Sequence, residues 1–284
     1  MKSFNALNDY FVRYLFTSAG SESILLDFIN SVMKDSNFNT FKSLEILTPF
    51  NSKNNYLDKE SIVDVKCVTE KNSVVIIEVQ LQGNLRFSNR ILYYWAKTYS
   101  NILKHGESYD SLHPVISINL LNFNISDDDK VHSCYMLKDK NSNRIFSDHL
   151  QIHLIELKKF RKDLLSLDLN IWLDFFTNKN LEESMSDIVK EKTIMDEVRE
   201  KYIQFIADSV MMSEYEKRQL YLADQRLHLE EQKELSKEEG IREGMERGVL
   251  ENQKEVAKRL KSKNMDINFI SEITGLSAEE IEKL

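Results

Sequence analysis

The chain has 284 residues, 42% hydrophobic and 10% aromatic, enough for one large domain with an appendage and too apolar for a disordered chain. Its formal net charge of -8 argues against nucleic-acid binding by bulk electrostatics and leaves room for a local basic face. No apolar run is long enough to cross a bilayer, Met1–Asp9 shows no signal-peptide pattern, and the two cysteines, Cys67 and Cys134, make neither a disulfide framework nor a four-ligand zinc site. No membrane partner and a reducing, cytoplasmic setting are therefore expected.

From Asp9 to Met33, apolar residues recur at three- and four-residue spacing, which predicts one or two helices. Gly20 and Ser21 interrupt them, and Ser21 is a candidate N-cap for the second. The period then changes. Ile62–Val68 is a β-branched run, Glu70–Ser73 a polar turn, and Val74–Leu81 a nearly continuous apolar run. Together they predict an antiparallel hairpin whose second strand is central in its sheet.

A helix is expected over Arg86–Leu103, with Phe87, Ile91, Tyr94, Trp95, Thr98 and Ile102 as its core stripe and Gly106 as a stop. Strands follow at Val115–Leu121, Val131–Leu137 and Ile152–Leu157. The order of helix, hairpin, helix and three strands indicates an α/β or α+β domain with a mixed sheet.

After Asp163 the strand signals stop. Ile171–Phe176, Met185–Ser213 and Glu214–Glu239 read as helices of rising charge density. Gly240, Gly244 and Gly248 recur every fourth residue, which fits either a face for close helix approach or a weakly helical linker. Val256–Leu260 and Phe269–Leu284 form a short helical hairpin turning at Thr274–Ser277, with Ser277 and Glu280 as a capping box.

The chemistry concentrates in the hairpin. Alternation sets Val74, Ile76, Glu78 and Gln80 on one face of the second strand, so a carboxylate and an amide emerge together from an apolar strand. Asp64 sits inside the preceding apolar run. Carboxylates on adjacent strands repel unless a cation lies between them, and such hard oxygen donors suit Mg²⁺ or Mn²⁺. Paired or solvated strand residues are the other reading, and the residues alone leave both open. Arg86, Arg90, Tyr93, Lys97 and Lys104 fall near one line of the following helix, either a solvated basic face or a cradle for a nucleic-acid backbone. The six histidines show no metal-ligand spacing, and no Gly-rich phosphate loop is present.

The spacing D-x(13)-E-x-Q formed by Asp64, Glu78 and Gln80 resembles the D…(D/E)-x-K signature of PD-(D/E)XK nucleases. The segments NDYFVRYLF, IVDVK, IIEVQL, RILYYWAKTYS, PVISINLLNF and IHLIELKKF, in that order, resemble the Rpn branch of recombination-promoting nucleases and putative transposases. The glycine-spaced segment and the ITGLSAEEIEKL ending resemble that branch's C-terminus.

The resemblance implies an α/β fold, a PD-(D/E)XK nuclease-like mixed sheet flanked by helices and followed by an α-helical C-terminal arm. It divides the chain into a nuclease-like domain at 1–176, a charged helical region at 177–239 and the glycine-spaced helix and hairpin at 240–284. It also implies Mg²⁺-dependent hydrolysis of double-stranded DNA, linked to recombination or transposition. Asp64 and Glu78 would ligate the metal, Asp9 would support it, and Gln80 would stand where the superfamily has lysine. Gln can orient water but carries no charge and cannot act as a base. That departure keeps a rival reading alive, a nuclease-fold protein acting by binding DNA or protein. A homo-oligomer through the helical arm is a further expectation. A DNA-reading role for the last helix is disfavoured by Glu279, Glu280 and Glu282.

Overall fold

The computed structural model describes residues 4–48, 50, 64–83, 86–162, 165–178 and 180–284. Ile62 and Val63 of the expected first hairpin strand lie outside these residues. The chain divides into two compact units, the first reaching Leu220 and the second spanning Tyr221–Leu284.

The first unit opens with α1 (Asp9–Thr17) and α2 (Glu22–Asp35). Asn8 caps α1 by accepting from the backbone N–H of Tyr10 and Phe11, at 3.0 and 3.3 Å. Ser21 stands at the N-cap of α2, but its hydroxyl is paired with Ser18 Oγ at 3.0 Å instead of capping. The sheet follows: β1 (Leu44–Ile46), β2 (Val65–Thr69), β3 (Val74–Gln80), β4 (Val115–Leu121), β5 (His132–Lys138) and β6 (Ile145–Glu156). Its order is β1-β2-β3-β4-β6-β5, with β3, β4 and β6 parallel and the outer pairings antiparallel. Asn72, in the left-handed region at φ 61°, closes the β2–β3 turn. β3 is central, as its apolar run on both faces requires.

One face of the sheet carries the main core. Val65, Cys67, Val75, Ile77, Val79, Ile116, Ile118 and Leu120 pack there against α1, α2 and the helices α4 (Leu167–Thr177), α5 (Leu181–Glu191) and α6 (Ile194–Ala207). Phe16, Phe28, Trp172 and Phe176 form its aromatic centre, with ring centroids 5.0 to 6.2 Å apart. Burial of each such ring is worth about 2–3 kcal/mol. The core does not end at residue 176. Met195, Val198, Tyr202, Phe205 and Tyr215 belong to it, and Phe4 stacks on Tyr215 at 4.8 Å.

The other face is covered by α3 (Phe87–Ser100). Phe87 and Ile91 pack on Leu121, Ile152 and Leu154, while Trp95, Tyr99 and Ile102 pack on Val74, Ile76 and Val115. The helix stops at Ser100, short of the expected Leu103, with Asn101 as its C-cap. β6 begins seven residues before the expected Ile152, because an exposed extension at Ile145–Ser147 pairs with Leu137 and Lys138 of β5.

Instead of the expected helices at Met185–Ser213 and Glu214–Glu239, the chain bends at Lys192 and Asp208, both in extended conformations. It then forms a single helix, α7 (Ser209–Ser262), of 54 residues. The Asp208 carboxylate starts α7 by accepting from the N–H of Val210 and Met211, at 2.8 and 3.0 Å. Gly240, Gly244 and Gly248 lie within α7, and a Cβ at any of them would meet nothing within 4 Å.

The second unit ends in α8 (Ile267–Thr274) and α9 (Ala278–Glu282), folded on the end of α7 around Ala257, Ile270, Leu276 and Ile281. Gly275, at φ 71°, ends α8, and the Ser277–Glu280 capping box is formed.

Candidate active site

The candidate site lies on the α3 face, at the C-terminal end of β3. Period-two alternation sends Glu78 and Gln80 to this face, while Ile77 and Val79 enter the main core. Asp64 lies immediately before β2, one residue beyond Val65–Ile77, the last pair that β2 makes with β3 at this end. Its Oδ2 accepts from the Val79 N–H at 2.8 Å, which ties it to the strand carrying Glu78.

Glu78 is only 4% exposed, and neither carboxylate oxygen has a hydrogen-bond partner among the described residues. Arg90 of α3 faces it, with Nη2 4.0 Å from Glu78 Oε2. Burial, then the Asp64 charge, push the Glu78 carboxyl up to about 8, and Arg90 opposes the shift. Asp64 is pushed upward as well, by burial and by the Asp9 charge, against the Val79 hydrogen bond and the positive fields of Arg13 and Arg218. Both carboxyls are thus shifted upward despite the opposing charges of Arg13, Arg90 and Arg218.

Gln80 is half-buried, and its Oε1 accepts from Arg90 Nη2. The Arg90 guanidinium sits 5.7 Å over the Phe87 ring, which makes an edge contact with Phe123 at 5.2 Å. Gly83, on the loop after β3, passes so close to this ring that a Cβ there would lie 2.7 Å from a Phe123 ring carbon. The aromatic pair thereby fixes the loop and α3 together beside the site.

The structure separates the residues expected to form a basic stripe. Arg86, Tyr93, Lys97 and Lys104 are exposed, whereas Arg90 is half-buried and turned onto Gln80 and Glu78. Helical spacing tells which residues share a line, but not where a long side chain ends. Asp9 is held by Arg218 of α7: Nε lies 2.9 Å from each carboxylate oxygen and Nη2 2.5 Å from Oδ2. Spacing alone could not have revealed Arg218, which is 209 residues away from Asp9.

Among the described residues, no group of three His, Cys, Asp or Glu side chains is arranged to enclose a metal ion. The donor chemistry around Glu78 nonetheless fits a hard divalent cation: two carboxylates on adjacent strands, both shifted upward, one with two buried partnerless oxygens.

Sequence reasoning also missed a buried polar chain on the opposite face of the sheet. Asp35 Oδ2 lies 2.7 Å from His132 Nδ1, His132 Nε2 lies 3.0 Å from His153 Nδ1, and Cys134 Sγ lies 3.8 Å from His153 Nε2. A single choice of tautomers satisfies the whole chain: Nδ1 of each ring donates toward Asp35, and each Nε2 accepts, from His153 Nδ1 and from the Cys134 thiol. Burial, then His132, hold His153 down at about 3, so it is neutral at ordinary pH.

A family model described as PD-(D/E)XK nuclease family transposase matches residues 6–232. The chain belongs to that family. The match covers the whole sheet, α1 to α6 and the start of α7, and so contains Asp9, Asp64, Glu78, Gln80 and Arg90. A nuclease or transposase-related function follows from this PD-(D/E)XK membership, and the six-stranded mixed sheet flanked by helices is its fold in this chain. Neither the curated proteins nor the solved structures give a match. Among the described residues, no helix is long and apolar enough to cross a membrane.

Proposed function

We propose that this PD-(D/E)XK protein is a Mg²⁺- or Mn²⁺-dependent endonuclease of double-stranded DNA, of the Rpn type, serving recombination or transposition in the cytoplasm. The observation that carries the reading is the Glu78 carboxylate, buried beside Asp64 with neither oxygen hydrogen-bonded among the described residues. A group so placed costs stability unless it has a task or a partner.

Asp64 and Glu78 would hold the cation, with Asp9 in support. A divalent ion bound there supplies Lewis acidity and a water of lowered pKa. The remaining chemistry belongs to the chain. Gln80 gives its Oε1 to Arg90, which leaves its Nε2 to hold the attacking water. Arg90 brings to Gln80 the positive charge that a glutamine lacks, where negative charge grows on the phosphate. Arg86, Tyr93 and Lys97 present exposed donors to a DNA backbone. The helical arm beyond Leu220 would serve self-association.

The rival reading, a nuclease-fold protein that binds DNA or a partner without cutting, draws on two features. Glutamine replaces lysine, and the described residues hold no ready trio of ligands. Incubation of supercoiled plasmid with wild type and Asp64→Ala, in Mg²⁺, Mn²⁺ or EDTA, separates the two. Nicking or linearisation by wild type alone, and only with metal, is expected. Plasmid left intact by wild type in both metals would establish the rival.

A further inference from the structure

The row of polar groups on the α3 face does not stop at Glu78. β3 and β4 are parallel, and Glu78 pairs with Asn119. Neighbouring strands lie about 4.8 Å apart, so the two side chains leave the same face side by side. Asp64, immediately before β2, is tied to β3 through the Val79 N–H, so Glu78 has Asp64 on its β2 side and Asn119 on its β4 side. β4 is otherwise an apolar strand; its polar residues, Ser117 and Asn119, both belong to this face.

Asn119 is fully buried. Its Nδ2 donates to Ser117 Oγ at 3.0 Å and to the His153 carbonyl oxygen at 3.1 Å. A carbonyl oxygen only accepts, so the amide nitrogen must face His153, and the orientation of the side chain is settled by chemistry. Oδ1 is thereby turned away from both partners, and it is buried with no donor. Three buried oxygens on neighbouring strands therefore lack a hydrogen-bond donor among the described residues: Oε1 and Oε2 of Glu78, the latter with only Arg90 Nη2 at 4.0 Å, and Oδ1 of Asn119. While Glu78 is ionised all three are acceptors and cannot satisfy one another, and burying each without a donor costs about 1–3 kcal/mol. A bound cation with its water meets the need of all three.

We propose that Asn119 is a third oxygen donor of the cation site formed by Asp64 and Glu78, its Oδ1 completing the coordination shell of a hard divalent ion. The inference rests on the metal-site reading above and adds a neutral ligand to it. It also accounts for why the described residues hold no trio of acidic, histidine or cysteine ligands: the third donor is an amide. Braced by Ser117 and His153, that amide is held in place before any ion arrives.

The test is calorimetric titration of the full-length chain with Mn²⁺ alone, without DNA, for wild type, Asn119→Leu, Asn119→Asp and Glu78→Gln. Wild type should bind, Glu78→Gln should lose binding, and Asn119→Leu should weaken it roughly tenfold, the scale of a lost supporting ligand. Asn119→Asp keeps the oxygen and adds charge, so it should bind at least as tightly as wild type. Asn119→Leu with wild-type affinity and a lowered melting temperature would make Asn119 a strand brace and overturn the inference, while leaving Asp64 and Glu78 as the site. Should Asn119→Leu fail to fold, Asn119→Asp decides: weaker binding than wild type would refute a ligating oxygen at this position. A wild type that binds no Mn²⁺ removes the two-carboxylate site itself, and the proposal with it.

Discussion

Glu78→Gln should stabilise the metal-free protein, and only above a certain pH. In the folded chain the Glu78 carboxyl is pushed up to about 8 from an ordinary value of 4.5, by burial and by Asp64. A carboxyl raised on folding binds its proton more tightly in the native state, so native stability falls as pH rises through the window between those two values. At pH 7 the window has been crossed by roughly 2.5 units, and at about 1.4 kcal/mol per unit, keeping in the native state a proton that the unfolded chain releases costs about 3 kcal/mol. Glutamine has nearly the same shape and no charge to desolvate, and its amide can donate to Asn119 Oδ1, which lacks a donor. In EDTA the variant should therefore gain about 3 kcal/mol at pH 7–8, on the order of 6 °C or more in melting temperature. The gain should shrink as pH falls and vanish near pH 4.5. Urea denaturation of both proteins in EDTA, at half-unit steps from pH 5 to 8, reads this directly. A variant less stable than wild type at pH 8, or one with the wild-type pH slope, would refute the claim that Glu78 is a buried, uncompensated acid. Mg²⁺ should erase the difference by stabilising wild type alone.

A chain ending at Leu220 should unfold in one cooperative transition, since it keeps Met195, Val198, Tyr202, Phe205 and Tyr215 in the main core. One ending at Phe176 removes all five and should show no such transition by calorimetry. Gly83→Ala drives a methyl to 2.7 Å from the Phe123 ring, an overpacking worth about 1–3 kcal/mol. It should lower stability in thermal melts by that amount, and no change would mean that the loop after β3 yields freely.

Much of the sheet was legible because its signals are local. β-Branched runs around a four-residue polar turn announce the β2–β3 hairpin, and Val115–Leu121 is a strand to the residue. β1 was not legible: three residues, Leu44–Ile46, are too few for alternation to register. The single span of α7 was obscured by its glycines, each of which lowers helix propensity by about 1 kcal/mol. The surrounding Glu, Lys, Arg, Leu and Gln are helix formers, with pairs such as Glu255–Arg259, and they carry the helix through.

In the candidate site, Glu78 and Asp64 stood out because a carboxylate inside an apolar strand is costly. Asn119 did not, since one amide in a buried strand has an unremarkable reading until its register neighbour is known. Arg90 sat in the sequence as one of several exposed bases, and its turn onto Gln80 and Glu78 is a matter of reach that spacing does not encode. Arg218 on Asp9, and His132 on His153, are contacts between distant segments that only the closed fold brings together.

The central claim is that Asp64 and Glu78 hold a metal and that Gln80, with Arg90, positions the water. Single-turnover cleavage of duplex DNA across a Mg²⁺ titration tests it, for wild type, Glu78→Ala, Gln80→Ala and Gln80→Lys. The account predicts no metal-dependent cleavage by Glu78→Ala. It predicts a rate about 10²-fold lower for Gln80→Ala with the Mg²⁺ midpoint little changed, the scale of a lost positioning group. Gln80→Lys should keep or raise activity. Cleavage by Glu78→Ala at the wild-type rate, or none by wild type at any Mg²⁺ concentration, would contradict it.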